Sequence, residues 1–250
     1  MACIISAPSS NSGKTLLSLL LISWLKSIKK TVQTFKVGPD YLDPQQLSEV
    51  SNKACRNLDL ILSGEKWVKE NFNHFGGLTD FSFIEGVMGL FDGVGSSSKG
   101  STAELAKVLS LPIVLIVDAR GKAASLAPLI KGFREHDKEL KIAGVVLNNV
   151  QSPRHEKILL EVLNQINIKS LGFLPRCEDL HLPSRHLGLA PVHEIKDLEN
   201  KVKKWAKIAK TYLDIESFKK LLSPPKSKEK VINFIANKES GLFHPIAVAE

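Results

Sequence analysis

Four carboxylates and one lysine stand where this chain could do phosphate chemistry. Gly13-Lys14-Thr15 follows a run of small residues, Ala7-Pro8-Ser9-Ser10-Asn11-Ser12, and opens an apolar helix over 16–28. A lysine there can reach the β- and γ-phosphates of a nucleotide, and a threonine hydroxyl there can sit on Mg²⁺. Asp40 and Asp43 come just after one strand-like run, Glu85 ends another, and Asp92 lies seven residues further on. If those strands flank the first, all four acids converge near Lys14. Mg²⁺ takes one or two carboxylates together with phosphates and water. By position Glu85 is the first choice of ligand and Asp40 the second, leaving Asp43 and Asp92 for substrate, ammonium or a second metal.

The loop is read as a phosphate cradle because a buried strand, Cys3–Ser6, precedes it and a helix follows it. Unpaired N–H groups and the dipole of a helix N-terminus suit an anion. Ser10, Asn11, Ser12, Gly13, Lys14 and Thr15 are the expected nucleotide contacts. The GxxxxGK[ST] pattern asks for Gly at position 8 and finds Pro8. Asn tolerates the left-handed region and Ser can donate to phosphate, so both partly replace the missing glycine. Bland readings stay open: Asp43 as a turn former before Pro44, and Asp92 as half of an Asp-Gly turn.

The remaining periodicity says what positions these groups. Strands are expected at 31–37, 81–85, 112–118, 142–148 and 168–174, and helices at 45–52, 65–75 (capped by Ser63), 102–110, 123–136 and 153–166. Residues 57–62 read as extended or irregular and 86–98 as a glycine-rich loop. Alternation of this kind predicts an α/β fold, a three-layer parallel sheet with helices on both faces, of the P-loop NTPase class. Beyond an irregular stretch at 180–194, a basic helix is expected over 195–213 and a shorter one over 215–222. A Pro/Lys/Ser-rich linker and a terminal strand follow.

Composition narrows the class. Hydrophobic residues are 43% and charged residues 24%, ordinary for a globular chain of 250 residues. Cys3, Cys55 and Cys177 form no CxxC pair, so neither a disulfide framework nor a zinc site is indicated, and a cytoplasmic setting is expected. No apolar run approaches ~20 residues, and no basic leader precedes the first strand, so no membrane partner is expected. The net charge of +8 is concentrated in 196–230, with eleven lysines against five acids. Without interleaved aromatics that stretch reads as a solvated helix face, and no nucleic-acid partner is expected.

Longer motifs add a resemblance. Phe35-Lys36-Val37-Gly38-Pro39-Asp40-Tyr41-Leu42-Asp43-Pro44, Glu85-Gly86-Val87-Met88-Gly89-Leu90-Phe91-Asp92-Gly93, Gly100-Ser101-Thr102-Ala103 and Arg185-His186-Leu187-Gly188-Leu189 resemble, in order and spacing, hallmarks of the cobyrinate a,c-diamide synthase family. The resemblance implies a dethiobiotin-synthetase-like amidoligase core over 1–194, with 195–222 as basic helices of the same domain. It also implies a linker at 223–245 and the start of a truncated glutaminase domain at 246–250. The nucleophilic Cys of that glutaminase and its His partner are absent, so free ammonia or a separate glutaminase is the expected nitrogen source.

The implied chemistry is ATP- and Mg²⁺-dependent amidation of the a- and c-acetate carboxylates of cobyrinate through an acyl phosphate. Thr15, Asp40 and Glu85 would hold Mg²⁺. Lys14, Asp43 and Asp92 would be catalytic, and Leu42, Asp43, Asp92 and Arg185 would meet the corrin substrate. Asn148 resembles an adenine-reading position and reads equally as a strand-end turn residue. Arg185 reads also as a surface ion pair, and His181 and His186 as structural. Hydrogenobyrinate or a nickel tetrapyrrole are alternative substrates. A partition-type ATPase switch is the alternative from another class, though the extra lysine of that class is missing from 6–12. Homodimerisation stays open.

Overall fold

The computed structural model describes residues 2–180 and 197–225. The expectations for Arg185, His181 and His186, and for the linker beyond residue 225 and the terminal strand, lie outside the described residues.

Seven parallel strands form one sheet: β1 (Cys3–Ser6), β2 (Val32–Val37), β3 (Arg56–Leu58), β4 (Phe81–Glu85), β5 (Ile113–Asp118), β6 (Ile142–Val150) and β7 (Ser170–Pro175). Their order is β3-β2-β4-β1-β5-β6-β7, with β1 at the centre. The central strands are buried on both faces, which is why they read as unbroken apolar runs. Ile4, Phe35, Ile84, Leu115 and Leu147 point to one face, covered by α3 (Gly64–Gly76), α4 (Thr102–Leu109), α5 (Leu126–His136) and α6 (Pro153–Gln165). Ile5, Val32, Phe83, Ile116 and Val146 point to the other, covered by α1 (Lys14–Ser27), α2 (Leu42–Ser51), α7 (Leu198–Tyr212) and α8 (Ile215–Leu221).

Helix α1 is buried from Leu16 to Leu25. It is apolar all round because the sheet covers one side and α7 packs along another. Each buried leucine contributes about 1.5–3 kcal/mol relative to exposure. This helix therefore holds the phosphate loop at its N-terminus firmly against the sheet.

Several details differ from expectation. Helix α2 begins at Leu42, not at 45, so Asp43 and Pro44 stand in its first turn rather than in a loop. Proline fits there because its missing N–H is one of the donors a helix start leaves unpaired. Within 57–62 the chain makes a short strand paired with β2 and then a turn in which Asp59 Oδ1 accepts from Ile61 N–H and Leu62 N–H at 2.8 and 2.9 Å. Ser63 precedes α3 but makes no side-chain cap bond.

The C-terminal helices are fastened to the sheet through main chain. Gly172 of β7 bridges antiparallel to Leu213, and Asp214 N–H donates to the Leu171 carbonyl at 2.9 Å. Gly172 has φ +147°, and a Cβ there would lie 2.4 Å from the Tyr212 carbonyl oxygen. Gly172→Ala is expected to destabilise the protein by about 1–3 kcal/mol through that clash and the strained φ. Urea unfolding measures it; an unchanged midpoint would contradict the account.

Candidate functional site

The loop at 7–13 leaves β1 at the centre of the sheet, on the carboxyl edge where α/β folds gather ligands. Ser9, Ser10 and Asn11 are exposed and Ser12 is buried. Asn11 takes φ +60° and Gly13 φ +113°, the left-handed conformations that let the main chain turn tightly into α1. Ser12 Oγ donates to the Ser9 carbonyl at 3.0 Å. From the end of β6, Asn148 Nδ2 donates to the Ser12 carbonyl at 3.0 Å, while Asn148 Oδ1 accepts from Asn149 N–H at 2.9 Å. The Asn148 carboxamide thus clasps the loop, a role neither reading of the sequence offered. A Cβ at Gly13 would lie 2.5 Å from Asn148 Nδ2, so glycine is needed there for space as well as for φ.

Lys14, in the first turn of α1, is buried. Its Nζ donates to the Met88 carbonyl at 2.5 Å and to the Ser9 carbonyl at 3.3 Å. Burial, with the nearby Lys36 ammonium, pushes its pKa down to about 8.

The acids gather beside it. Lys36 and Glu85 are directly paired in the β2–β4 register and project to the same face of the sheet. Lys36 is 1% exposed and Glu85 0%. Lys36 Nζ donates to Glu85 Oε1 at 2.9 Å and to the Gly86 carbonyl at 3.1 Å, forms a very short bond with Asp43 Oδ2, and lies 3.5 Å from Asp40 Oδ2. Thr15 Oγ1 lies 3.0 Å from Glu85 Oε1 and 3.3 Å from Asp43 Oδ1. Contact with Thr15 is therefore made by Asp43 and Glu85. Asp40 approaches Lys36 rather than Thr15, and its Oδ1 accepts from Leu42 N–H at 3.1 Å.

Their proton affinities are pushed apart. Burial would raise the Glu85 pKa, but the Lys36 ammonium, with the Ser18 and Thr15 hydroxyls nearby, holds it below the usual carboxylate range. Burial and the Glu85 charge raise that of Asp43 against the pull of Lys36. Burial would lower the Lys36 pKa, but Glu85 and Asp43 outweigh it and keep the lysine charged. The hydroxyl of Ser18 donates to the Lys14 carbonyl at 3.1 Å, and Glu85 Oε2 is buried without a hydrogen-bond partner.

The β4–α4 loop closes the site from above. Met88 takes φ +46°, a strained conformation for a side chain of its size, and this aims its carbonyl at Lys14. Asp92 is exposed, and its Oδ2 accepts from Gly89 N–H at 2.8 Å, closing a turn on the Lys14 side. Ser101 caps α4 by accepting from Glu104 N–H at 3.2 Å, and Glu104 reaches back to Gly100 N–H. The Gly100-Ser101-Thr102-Ala103 motif is thus, in part, a helix start. Thr102 Oγ1 accepts from Val87 N–H at 3.2 Å and pins the loop.

Two residues of the site escaped the sequence reading. Lys36 stood in a quoted motif as an unremarked strand residue; a lone lysine between Phe35 and Val37 was the available signal. Asn57 donates from Nδ2 to the carbonyls of Gly38 and Asp40, each at 2.8 Å, and fixes the loop that carries the acids. Nothing in its local sequence announces that.

Among the described residues no group of three or more His, Cys, Asp or Glu side chains makes a metal site by itself. The donors at hand are hard oxygens: the Thr15 hydroxyl, the Asp43 carboxylate and Glu85, one of whose oxygens is unpartnered. Such a set fits Mg²⁺ carried with a nucleotide, whose shell is completed by phosphate oxygens and water.

Sequence comparison agrees with this geometry. The family pattern described as CobQ/CobB/MinD/ParA nucleotide binding domain matches residues 3–189. A cobyrinate a,c-diamide synthase of Gloeobacter violaceus is 42% identical over 215 residues, covering 86% of this chain and 48% of that protein. One from Caldanaerobacter subterraneus subsp. tengcongensis is 43% identical over 229 residues, covering 91% and 50%. A hydrogenobyrinate a,c-diamide synthase of Streptomyces coelicolor is 44% identical over 192 residues, covering 76% and 40%. The chain spans half or less of the length of these relatives. With a clasped phosphate loop at the head of a central parallel strand, and a family pattern that runs through β1 to β7, this chain belongs to the CobQ/CobB/MinD/ParA nucleotide-binding family.

Proposed function

We propose that the chain is an ATP-dependent amidoligase unit, acting in the cytoplasm, that converts acetate side chains of a cobyrinate-type corrin to amides. The observation that carries the reading is the meeting of Thr15, Asp43 and Glu85 at the foot of the phosphate loop. The names of the relatives supply the substrate class. A partition-type switch is less well supported, because 6–12 holds no second lysine.

The chemistry follows from the weakness of a carboxylate as an electrophile. Its charge repels nucleophiles, and oxide is a poor leaving group. When a substrate carboxylate oxygen attacks the γ-phosphorus of ATP, ADP departs and an acyl phosphate forms. Ammonia then attacks the acyl carbon, phosphate leaves, and an amide remains. Lys14 and the N–H groups at the start of α1 stabilise charge on the transferring phosphoryl group. Thr15, Asp43 and Glu85 would hold Mg²⁺, which supplies charge neutralisation at the phosphates. Asp40 orients the β2–α2 turn and helps to balance Lys36. Asp92, the exposed acid of the set, accepts a proton from ammonium.

Incubation with ATP, Mg²⁺, ammonium and cobyrinate tests the reading by mass spectrometry, each amidation lowering product mass by about one unit. Product is expected with ammonium. Asp43→Asn and Glu85→Gln should each lower turnover by about 10²–10³. Absence of product, with ADP release stimulated by a protein or DNA partner, would instead favour the switch.

The depressed Lys14 pKa gives a pH signature. With its pKa pushed down to about 8, Lys14 should be largely neutral above that pH without nucleotide, and bound phosphates should favour its charged form. ATP binding should therefore take up a proton above that pH, and affinity should fall about tenfold per pH unit there. Calorimetry in buffers of different ionisation enthalpy reads the uptake; none at about pH 9 would count against it.

Asn148→Ala should weaken ATP binding by about five- to tenfold, the worth of one buried hydrogen bond. Inorganic triphosphate, which has no base, should lose as much if Asn148 acts through the loop. Loss for ATP alone would return Asn148 to the role of adenine reader.

A further inference from the structure

We infer that Lys36 is the resident counter-ion of the metal site: its ammonium holds the place of a divalent cation, and the ion can take up its ligands only as Lys36 leaves them. The inference rests on reading Thr15, Asp43 and Glu85 as the ligands.

The geometry is one of shared oxygens. Glu85 Oε1 lies within hydrogen-bond distance of both Lys36 Nζ, at 2.9 Å, and Thr15 Oγ1, at 3.0 Å. Asp43 divides its oxygens in the same way, Oδ2 to Lys36 and Oδ1 toward Thr15. A cation bound to Thr15, Asp43 and Glu85 would thus be coordinated by groups that already enclose an ammonium. Two positive centres at that separation, in a site shielded from water, repel strongly.

Charge counting points the same way. Asp40, Asp43 and Glu85 surround Lys36, and Asp43 and Glu85 also act on Lys14, which leaves one negative charge with Asp43 ionised; Asp92, on the Lys14 side, is exposed and its charge is screened by solvent. A divalent cation added alone would turn the buried site positive. A triphosphate arriving on Lys14 brings enough negative charge for metal and lysine to remain together. Lys36 also prevents the opposite fault: without any cation, Glu85 and Asp43 would be two buried carboxylates side by side, a costly arrangement. Metal uptake is in this way tied to nucleotide uptake. The lysine can yield because it carries a flexible four-carbon stem, whereas Glu85 and Thr15 project from rigid elements.

Mn²⁺ titration followed by electron paramagnetic resonance tests this on the whole chain. Without nucleotide, wild type should bind Mn²⁺ weakly. Lys36→Met, and Lys36→Gln, which can still donate to the Gly86 carbonyl, should bind one Mn²⁺ about tenfold or more tightly. The gain should vanish when Glu85→Gln is added, and Mg²⁺ should raise the melting temperature of the Lys36 variants more than that of wild type. No gain in either variant overturns the inference. If neither variant folds, tight Glu85-dependent Mn²⁺ binding by nucleotide-free wild type overturns it, and weak binding that becomes Glu85-dependent and tight only with a non-hydrolysable ATP analogue supports it. The ligand reading fails separately: Thr15→Ala and Glu85→Gln would then leave Mn²⁺ binding in the presence of that analogue unchanged.

Discussion

A charged lysine buried inside a parallel sheet sets the terms for this molecule. Lys36 stands between Phe35 and Val37 in a strand with no solvent on either face. An isolated ammonium there would cost several kcal/mol, a large share of a domain's stability, so its partners must be supplied by the fold. They are supplied by register. Lys36 lies opposite Glu85, and a shift of β4 by one residue would turn Glu85 to the other face and leave the ammonium bare. The same register puts Glu85 beside Thr15. Correct pairing of β2 with β4 and assembly of the candidate site are thus one event.

Around that pair the carboxyl edge of the sheet is built from loops held by side chains bonded to main-chain groups. Asn148 clasps the phosphate loop, Asn57 holds the β2–α2 turn, and Thr102 and Asp92 tie down the β4–α4 loop. Each bond is modest, of order 1 kcal/mol net. Their effect is one of placement: catalysis by charge stabilisation depends on donors already aimed before charge develops. The buried helix α1 gives these loops a fixed point.

Local signals explain what the sequence disclosed. The sheet was legible because its central strands are buried on both faces and read as apolar runs, as in 112–118 and 142–148. The phosphate loop was legible because Gly13-Lys14-Thr15 joins a strand to a helix. Which of Asp40 and Asp43 reaches Thr15 was not, because that depends on where α2 starts. A helix beginning at Leu42 turns Asp43 inward onto Thr15 and Lys36, and Pro44 conceals that start. Lys36 could have been suspected from its apolar neighbours. Asn57 and the clasp by Asn148 could not, since both bonds join segments far apart in sequence and serve main-chain groups that carry no identity.

The resting site is nearly self-satisfied, and this bears on how a ligand must act in it. Lys14 is held by two carbonyls, Ser9 of its own loop and Met88 of the β4–α4 loop, the second kept in place by a left-handed backbone. A phosphate that draws the Lys14 ammonium to itself competes with the Met88 carbonyl for it. That loop also carries Asp92, the acid nearest to solvent. Glu85 Oε2, buried and without a hydrogen-bond partner, is the complementary feature. The strained Met88 beside Lys14 and the open oxygen of Glu85 are the two features that a polyphosphate and its cation would meet.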